Sequence, residues 1–163
     1  MRVVSNTSPI INLAAIHRLD LLRQLYDRLI IPEAVYMEIT ASGAGQPGAR
    51  EVETASWIEY RKVTDRSFVS ALRIDLDPGE AEAIALAIEV RADLILLDER
   101  RARTVARRLG LKYIGLLGAL IEAKHKGYIA EVKPLLDALI TRAGFRVSPR
   151  LYSHVLSVAN EER

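Results

Sequence analysis

Cysteine is absent from this sequence of 163 residues, and histidine occurs only three times. The absence of cysteine excludes disulfide bonds and thiolate metal sites. The histidines, His17, His125 and His154, are scattered and lack the short spacing of metal ligands. A metal site in this chain must therefore use oxygen ligands, which favour Mg²⁺ or Mn²⁺ over zinc.

The sequence also lacks long apolar runs and a strong excess of either charge. No run approaches the roughly 20 apolar residues that span a bilayer. The first residues, Met1 to Ser5, lead directly into a strand-like pattern without the apolar region of a signal peptide. We therefore expect a cytoplasmic protein with no membrane segment. The net charge of +2 does not by itself indicate nucleic-acid binding.

Short apolar segments alternate with helical patterns through the first 115 residues. This alternation predicts an α/β fold in which helices cover both faces of a parallel sheet. The run Leu94-Ile95-Leu96-Leu97 is typical of a strand buried on both faces of such a sheet. The length suits one domain, residues 1–163, with a helical C-terminal part from about residue 116 to 163. We predict strands at Val3–Ser5, Leu29–Ile31, Trp57–Val63, Leu94–Leu97 and Lys112–Ile114.

Two helix starts carry clear signals. Ser8 and Pro9 have the pattern of an N-cap followed by a proline in the first turn. The segment Asp77-Pro78-Gly79-Glu80 combines an N-cap, a proline and a glutamate at the capping-box position. Glu82, two positions from Glu80, points to another side of the same helix, where we expect it to be exposed. Helices are predicted at Ile10–Ala15, Asp20–Tyr26, Glu33–Thr40, Ala81–Val90, Glu99–Leu109, Leu116–Lys126, Ile129–Ala143 and Pro149–Asn160.

Four polar residues occupy places from which they could meet at one edge of the sheet. Asn6 and Asp98 each follow a predicted strand, Glu80 lies in the first turn of its helix, and Glu38 lies on the helix after Pro32. In parallel sheets, ligands bind beyond the carboxyl ends of the strands. Crowded carboxylates raise one another's pKa unless a cation compensates their charge. A divalent cation with oxygen ligands is the natural compensation, so we expect the four side chains to converge.

Each of these residues also has a purely structural interpretation. Glu80 can serve only as the capping-box glutamate, and Asp98 can serve only as the N-cap of the helix that begins at Glu99. Glu38 can be a solvated helix residue. The combination, and not any single residue, indicates a metal site.

The chain resembles the PIN-domain family, in particular a PIN-like subgroup related to VapC-type toxin ribonucleases. The resemblance rests on four segments in the same order along the chain. They are Val4-Ser5-Asn6-Thr7-Ser8-Pro9-Ile10-Ile11, Ile31-Pro32-Glu33-Ala34-Val35-Tyr36-Met37-Glu38-Ile39, Gly79-Glu80-Ala81-Glu82-Ala83-Ile84-Ala85-Leu86-Ala87 and Leu96-Leu97-Asp98-Glu99-Arg100-Arg101-Ala102-Arg103. It implies a three-layer α/β/α fold with about five parallel strands. It also implies a Mg²⁺- or Mn²⁺-dependent endoribonuclease, often the toxin of a toxin–antitoxin pair, with an antitoxin protein as partner and a homodimeric state.

Carried over by position, the resemblance assigns the catalytic site to Asn6, Glu38, Glu80 and Asp98. Asn6, Glu80 and Asp98 would be metal ligands. The chain departs from the family at two of its motif positions: Asn6 stands where an aspartate is usual, and Arg101 stands where another acidic or amide residue is common. An asparagine is neutral and offers one oxygen to a metal. A degenerate domain that binds RNA or a partner protein without cutting is therefore the alternative function.

The helix after Asp98 is rich in arginine. Arg100, Arg103 and Arg107 follow the spacing that places side chains on one helix face. We expect Arg100 and Arg103 to bind the RNA backbone. Thr7 and Ser8 would support the metal site through hydrogen bonds. A nucleotide-binding module of doubly wound type is disfavoured, because no glycine-rich phosphate loop follows the first strand.

Overall fold

The computed structural model describes residues 1–161 and contains a parallel sheet of five strands in the order β3-β2-β1-β4-β5. Residues 162 and 163 belong to the predicted helical C-terminal part but lie outside the described range. Because all five strands are parallel, their carboxyl ends meet at one edge of the sheet. The strands are β1 (Val3–Ser5), β2 (Leu29–Pro32), β3 (Ile58–Arg61), β4 (Leu94–Leu96) and β5 (Tyr113–Ile114).

Helices connect the strands and follow the last of them. Before β3 they are α1 (Thr7–Ala15), α2 (Asp20–Tyr26), α3 (Glu33–Met37), a π-helical turn (Glu38–Ser42) and α4 (Ala49–Thr54). After β3 they are α5 (Arg66–Leu72), α6 (Pro78–Glu89), α7 (Arg100–Arg108), α8 (Leu116–His125), α9 (Lys133–Thr141) and α10 (Pro149–Val158). No helix within residues 1–161 is long and apolar enough to cross a membrane.

Both faces of the sheet are buried at its three central strands, β1, β2 and β4, as their apolar sequences predict. Val3 and Leu96 contribute to one core cluster, which is completed by α1, α2, α8, α9 and α10. Val4 and Ile95 contribute to a second cluster, on which α5, α6 and α7 pack. Successive strand residues point to opposite faces, so the two clusters lie on opposite sides of the sheet. The predicted three-layer α/β/α fold is confirmed.

Several local predictions were wrong. The first helix begins at Thr7 with Asn6 as its N-cap residue, so Ser8 lies inside the first turn. The helix after β2 continues beyond Met37 as the π-helical turn that carries Glu38. Helices α4 and α5 were not predicted.

Glu82 was expected at the surface but is buried. Its Oε1 accepts the Ala34 N–H at 3.0 Å, and its Oε2 lies 3.1 Å from the Arg66 guanidinium. Nearly every side of α6 faces another element, and all residues from Gly79 to Ala87 are buried. The side of α6 opposite Glu80 is therefore an interior face.

Candidate active site

Asn6 lies where β1 ends at the carboxyl edge of the sheet. Its extended backbone, with φ of −81° and ψ of 178°, lets its N–H donate to the Leu96 carbonyl at 3.1 Å. The side-chain oxygen Oδ1 of Asn6 is buried and has no hydrogen-bond partner among the described residues. An unsatisfied buried acceptor costs about 1–3 kcal/mol, so folds rarely keep one without a reason. A carbonyl oxygen in this condition is suited to a cation.

Glu38 brings a carboxylate to the same place. Its Oε2 accepts the Thr7 hydroxyl at 3.0 Å, which fixes its direction. A Cβ atom on Gly79 would lie 3.1 Å from Glu38 Oε2 and 3.2 Å from Asn6 Oδ1. Both oxygens therefore border the first turn of α6, and the glycine leaves room for them. The π-helical turn that begins at Glu38 is a type of distortion that is frequent at functional sites.

Glu80 closes the first turn of α6 with the predicted capping box. Its N–H donates to Asp77 Oδ1 at 2.8 Å, and its Oε1 accepts the Asp77 N–H at 3.1 Å. Burial raises the pKa of the Glu80 carboxyl above its ordinary value. The Asp77 N–H opposes this effect, the charges of Asp77 and Glu99 add to it, and the charge of Arg101 lowers the pKa. The capping role and a place in the site are thus compatible.

The structure brings Asn6, Glu38 and Glu80 together in one open cleft of about 570 Å³. The sequence interpretation missed Asp75 and Glu99 and gave Asp77 only a capping role. A loop acid such as Asp75 has no periodic pattern that would reveal its direction. The cleft is lined by Asn6, Thr7, Ser8, Ile11, Glu38, Asp75, Asp77, Glu80, Glu99, Arg100 and Arg101.

Asp98 also lies at the carboxyl edge but lines an adjoining cavity of about 730 Å³, which shares Ser8 and Glu99 with the cleft. Its Oδ1 accepts the Leu116 N–H at 2.8 Å and lies 3.6 Å from the Arg103 guanidinium. Its Oδ2 accepts the Ser8 hydroxyl at 3.3 Å. Burial raises the pKa of the Asp98 carboxyl, and these contacts act in the opposite direction. The N-cap of α7 is Glu99, so Asp98 caps the start of α8 instead.

Within residues 1–161, no three histidine, cysteine, aspartate or glutamate side chains are close enough to hold a metal ion by themselves. The oxygen of Asn6 changes the donor set, because it adds a neutral ligand beside Glu38 and Glu80. Two carboxylates and one amide oxygen suit Mg²⁺ or a similar hard cation, which usually keeps several water ligands. The residues of the cleft therefore fit one divalent cation.

The predicted RNA-binding arginines differ in their surroundings. Arg100 is exposed and lines the cleft. Arg103 is partly buried, donates from Nε to the Leu97 carbonyl at 2.8 Å and lies over the Tyr113 ring. Arg107 also lies over the Tyr113 ring, 5.8 Å from its centroid. Arg101 donates from its guanidinium to the Asp75 carbonyl at 3.1 Å and also lines the cleft.

A family model for the PIN domain matches residues 2–161. A search of the curated proteins found no match. PIN domains are in general metal-dependent nucleases, and the five parallel strands between helices agree with that fold. The match covers almost the entire sequence, and the chain therefore belongs to the PIN-domain family.

Proposed function

We propose that this protein is a cytoplasmic endoribonuclease of PIN type that depends on Mg²⁺ or Mn²⁺ and acts as the toxin of a toxin–antitoxin pair. The observation that supports the proposal most is the buried Oδ1 of Asn6, which has no hydrogen-bond partner within residues 1–161 and shares its cleft with Glu38 and Glu80. Without a cation, this arrangement leaves an acceptor unsatisfied and raises the pKa of Glu80 through burial. A divalent cation would relieve both costs.

Asn6, Glu38 and Glu80 would hold the cation. When bound, it would activate the attacking water and offset the charge that develops on the phosphate. The side chains are oriented in advance, because Thr7 fixes Glu38 and the Asp77 backbone fixes Glu80. Such preorganisation lowers the cost of assembling a site during the reaction.

Asp98 contributes to the proposed site by positioning other groups. Its carboxylate holds the Ser8 hydroxyl, which also accepts a hydrogen bond from Asn12 Nδ2 at 3.0 Å. Ser8 lines both the cleft and the adjoining cavity, so this network sets the wall between them. A direct ligand role for Asp98 would use Oδ2, which accepts the Ser8 hydroxyl at 3.3 Å, because Oδ1 already faces Leu116 and Arg103.

The arginines at the mouth of the cleft give the RNA backbone a place to bind. The acidic side chains repel a phosphate diester, whereas Arg100 and Arg101 line the same cleft with positive charge. Contacts between arginine and phosphate supply most of the sequence-independent affinity for nucleic acids. We therefore expect binding that weakens with salt and shows little preference for sequence at the phosphates.

The second candidate function is a PIN-like domain that binds RNA or a partner protein without cutting. Two observations favour it: Asp98 is already engaged by Leu116 and Arg103, and Asn6 provides no charge. Arg101 lowers the negative charge of the cleft further. Under this alternative, Arg101 would act as the main phosphate contact and no divalent ion would be needed.

Thermal denaturation with added Mg²⁺ or Mn²⁺, followed by cleavage of labelled single-stranded RNA, separates the two candidates. Wild type should be stabilised by either ion and should cut RNA only when the ion is present. Glu38→Gln and Glu80→Gln should lose both effects, whereas Glu82→Gln, a buried glutamate on the far side of α6, should keep them. A protein that binds RNA, but is neither stabilised by the metal ions nor able to cut RNA, would favour the second candidate.

The toxin role is tested in cells. Induced expression of the wild-type chain should arrest growth, and Glu80→Gln should not. A small protein encoded beside this chain should restore growth and copurify with it if it is the antitoxin. Size-exclusion chromatography with light scattering would test the expected homodimer. Growth arrest by Glu80→Gln would mean that the toxicity does not come from RNA cleavage at this site.

A further inference from the structure

The cavity that adjoins the cleft has a lining of two chemical kinds. Asp98, Arg103 and Asn12 contribute charged and polar groups. Leu117, Phe145 and other residues contribute apolar side chains. Its volume of about 730 Å³ falls within the range of small-ligand sites. A ligand that fills it must therefore have one flat or apolar part and one part that binds cationic groups.

Phe145 is held as a fixed surface in this cavity. It lies in the loop between α9 and α10, and its N–H donates to the Leu139 carbonyl at 2.9 Å. The preceding Gly144 has a φ of +71°, a conformation that glycine adopts without strain and that turns the chain out of α9. The side chain is half-buried: it packs against the larger core cluster and also lines the cavity. A ring supported in this way can stack on a flat ligand without losing much side-chain freedom.

Positive charge borders the aromatic surface. Arg146 follows Phe145, is exposed and lines the same cavity. Arg103 also lines this cavity, and Arg107 lines a further small cavity that shares Arg103 and Tyr113 with the larger one. Single-stranded nucleic acids bind where aromatic rings stack on bases and arginines contact the neighbouring phosphates. The apolar lining residues alone would also suit a protein side chain, but the neighbouring arginines, Arg103 and Arg146, favour a nucleotide.

We propose that this cavity binds one nucleobase of the RNA substrate, stacked on Phe145, with the attached phosphate directed towards Arg103 and Arg146. The inference rests on the proposed function for the choice of RNA and adds a base-binding subsite to it. Because the cavity shares Ser8 and Glu99 with the cleft, the bound nucleotide would be a neighbour of the phosphate that is cut. The enzyme would thereby act on unpaired RNA, since a paired base could not enter the cavity.

The test uses adenosine 5′-monophosphate in chelator, so that it requires neither metal nor cleavage. Titration of isotope-labelled protein should shift NMR signals of Phe145 and Gly118 and leave those of Tyr128 unchanged, because Tyr128 is an exposed aromatic residue outside the cavity. Ribose 5-phosphate, which lacks the base, should bind about tenfold more weakly. Phe145→Leu should reduce adenosine monophosphate binding to the level of ribose 5-phosphate, whereas Phe145→Trp should retain it.

Tyr128→Ala is the control for loss of an exposed aromatic side chain and should bind like wild type. Equal affinity for adenosine monophosphate and ribose 5-phosphate, or shifts outside the cavity, would overturn the subsite. No binding at millimolar concentration would overturn it as well. If Phe145→Leu does not fold, the affinities of wild type and Phe145→Trp for adenosine monophosphate and ribose 5-phosphate still test whether the cavity binds the base. Failure of the proposed nuclease would instead be seen as absent metal-dependent cleavage, which this titration does not measure.

Discussion

Asn6→Asp is the most informative perturbation, because it adds a charge without changing the volume of the side chain. Asn6 is only 6% exposed, and its Oδ1 and Glu38 Oε2 both border Gly79. A Cβ on Gly79 would lie 3.2 Å from Asn6 Oδ1 and 3.1 Å from Glu38 Oε2, so these two oxygens are at most about 6 Å apart. Two carboxylate charges at that distance repel each other by about 3 kcal/mol at an effective dielectric constant of about 20. Burial of the charge adds to this cost, and uptake of a proton limits it.

The variant should therefore unfold at a temperature roughly 10 °C lower than wild type in chelator near pH 8, and the difference should shrink near pH 5. Saturating Mg²⁺ should restore most of the loss, since a ligand at about 100 times its Kd adds about 2.7 kcal/mol. Differential scanning fluorimetry with and without Mg²⁺ measures both effects. RNA cleavage should increase in the same variant.

Gln46→Glu is the matched control, because it adds the same charge in an exposed loop that borders a cavity next to the cleft. It should change the unfolding temperature little and gain no metal response. Two results would contradict this prediction: Asn6→Asp as stable as wild type in chelator, or equal stabilisation of Asn6→Asp and wild type by Mg²⁺. Either result would mean that Asn6 does not face the other carboxylates or a cation.

Substitutions at Glu80, Gly115 and Asp98 test the burial and the contacts of individual residues at the site. Glu80→Gln should be more stable than wild type at pH 7 in chelator. Burial raises the pKa of the native Glu80 carboxyl, so the wild-type protein loses stability as the pH rises above the ordinary value of 4.5. Urea titrations at several pH values should show that the advantage of the variant vanishes below that pH. Gly115→Ala should displace the Arg103 guanidinium from Asp98, because the new Cβ would lie 1.8 Å from Arg103 Nη2. We expect the free energy of unfolding, measured by chemical denaturation, to fall by about 1–2 kcal/mol. Unchanged stability would contradict the contact between Arg103 and Asp98. Asp98→Asn should lower the free energy of unfolding by about 1–3 kcal/mol, since the charge that Leu116 and Arg103 contact is lost. The variant should still be stabilised against heat by Mg²⁺. Loss of this stabilisation would make Asp98 a direct ligand.

The sheet and the strongest helix could be read from the sequence. The four apolar residues from Leu94 to Leu97 have no polar alternation, so they predicted a strand buried on both faces. The capping box at Asp77 and Glu80 is local chemistry, and it forms as predicted. Both predictions depend only on residues that are close together in the sequence, so they can be made without knowledge of the fold.

The errors concern features that depend on distant parts of the chain. Glu82 was placed at the surface because its neighbour Glu80 was assigned to the site, yet α3 and α5 cover that side of the helix. Ser8 has the side chain of a typical cap, but the helix already begins at Thr7, and the Ser8 hydroxyl donates to Asp98 instead. The unbroken series of small and apolar residues around Glu82 was the available signal for a buried helix.

The site could be located but not assembled from the sequence. The rule for parallel sheets correctly pointed to the carboxyl edge, where Asn6 and Asp98 both lie. It could not predict that Leu116 and Arg103 would engage the Asp98 carboxylate. Nor could it find Phe145, which is far from the acidic motifs in sequence and reaches the adjoining cavity from the loop after α9.

Whether the cleft cuts RNA with a metal bound at Glu38 and Glu80 is decided by assaying cleavage of labelled single-stranded RNA by purified wild-type protein and the Glu38→Gln/Glu80→Gln double variant. Both proteins are assayed in Mg²⁺, in Mn²⁺ and in chelator, with Glu82→Gln as the folded control. We expect cleavage by wild type and Glu82→Gln in either metal, none in chelator, and none by the double variant under any condition. Absence of cleavage by wild type in both metals, or equal cleavage by the double variant, would contradict this expectation.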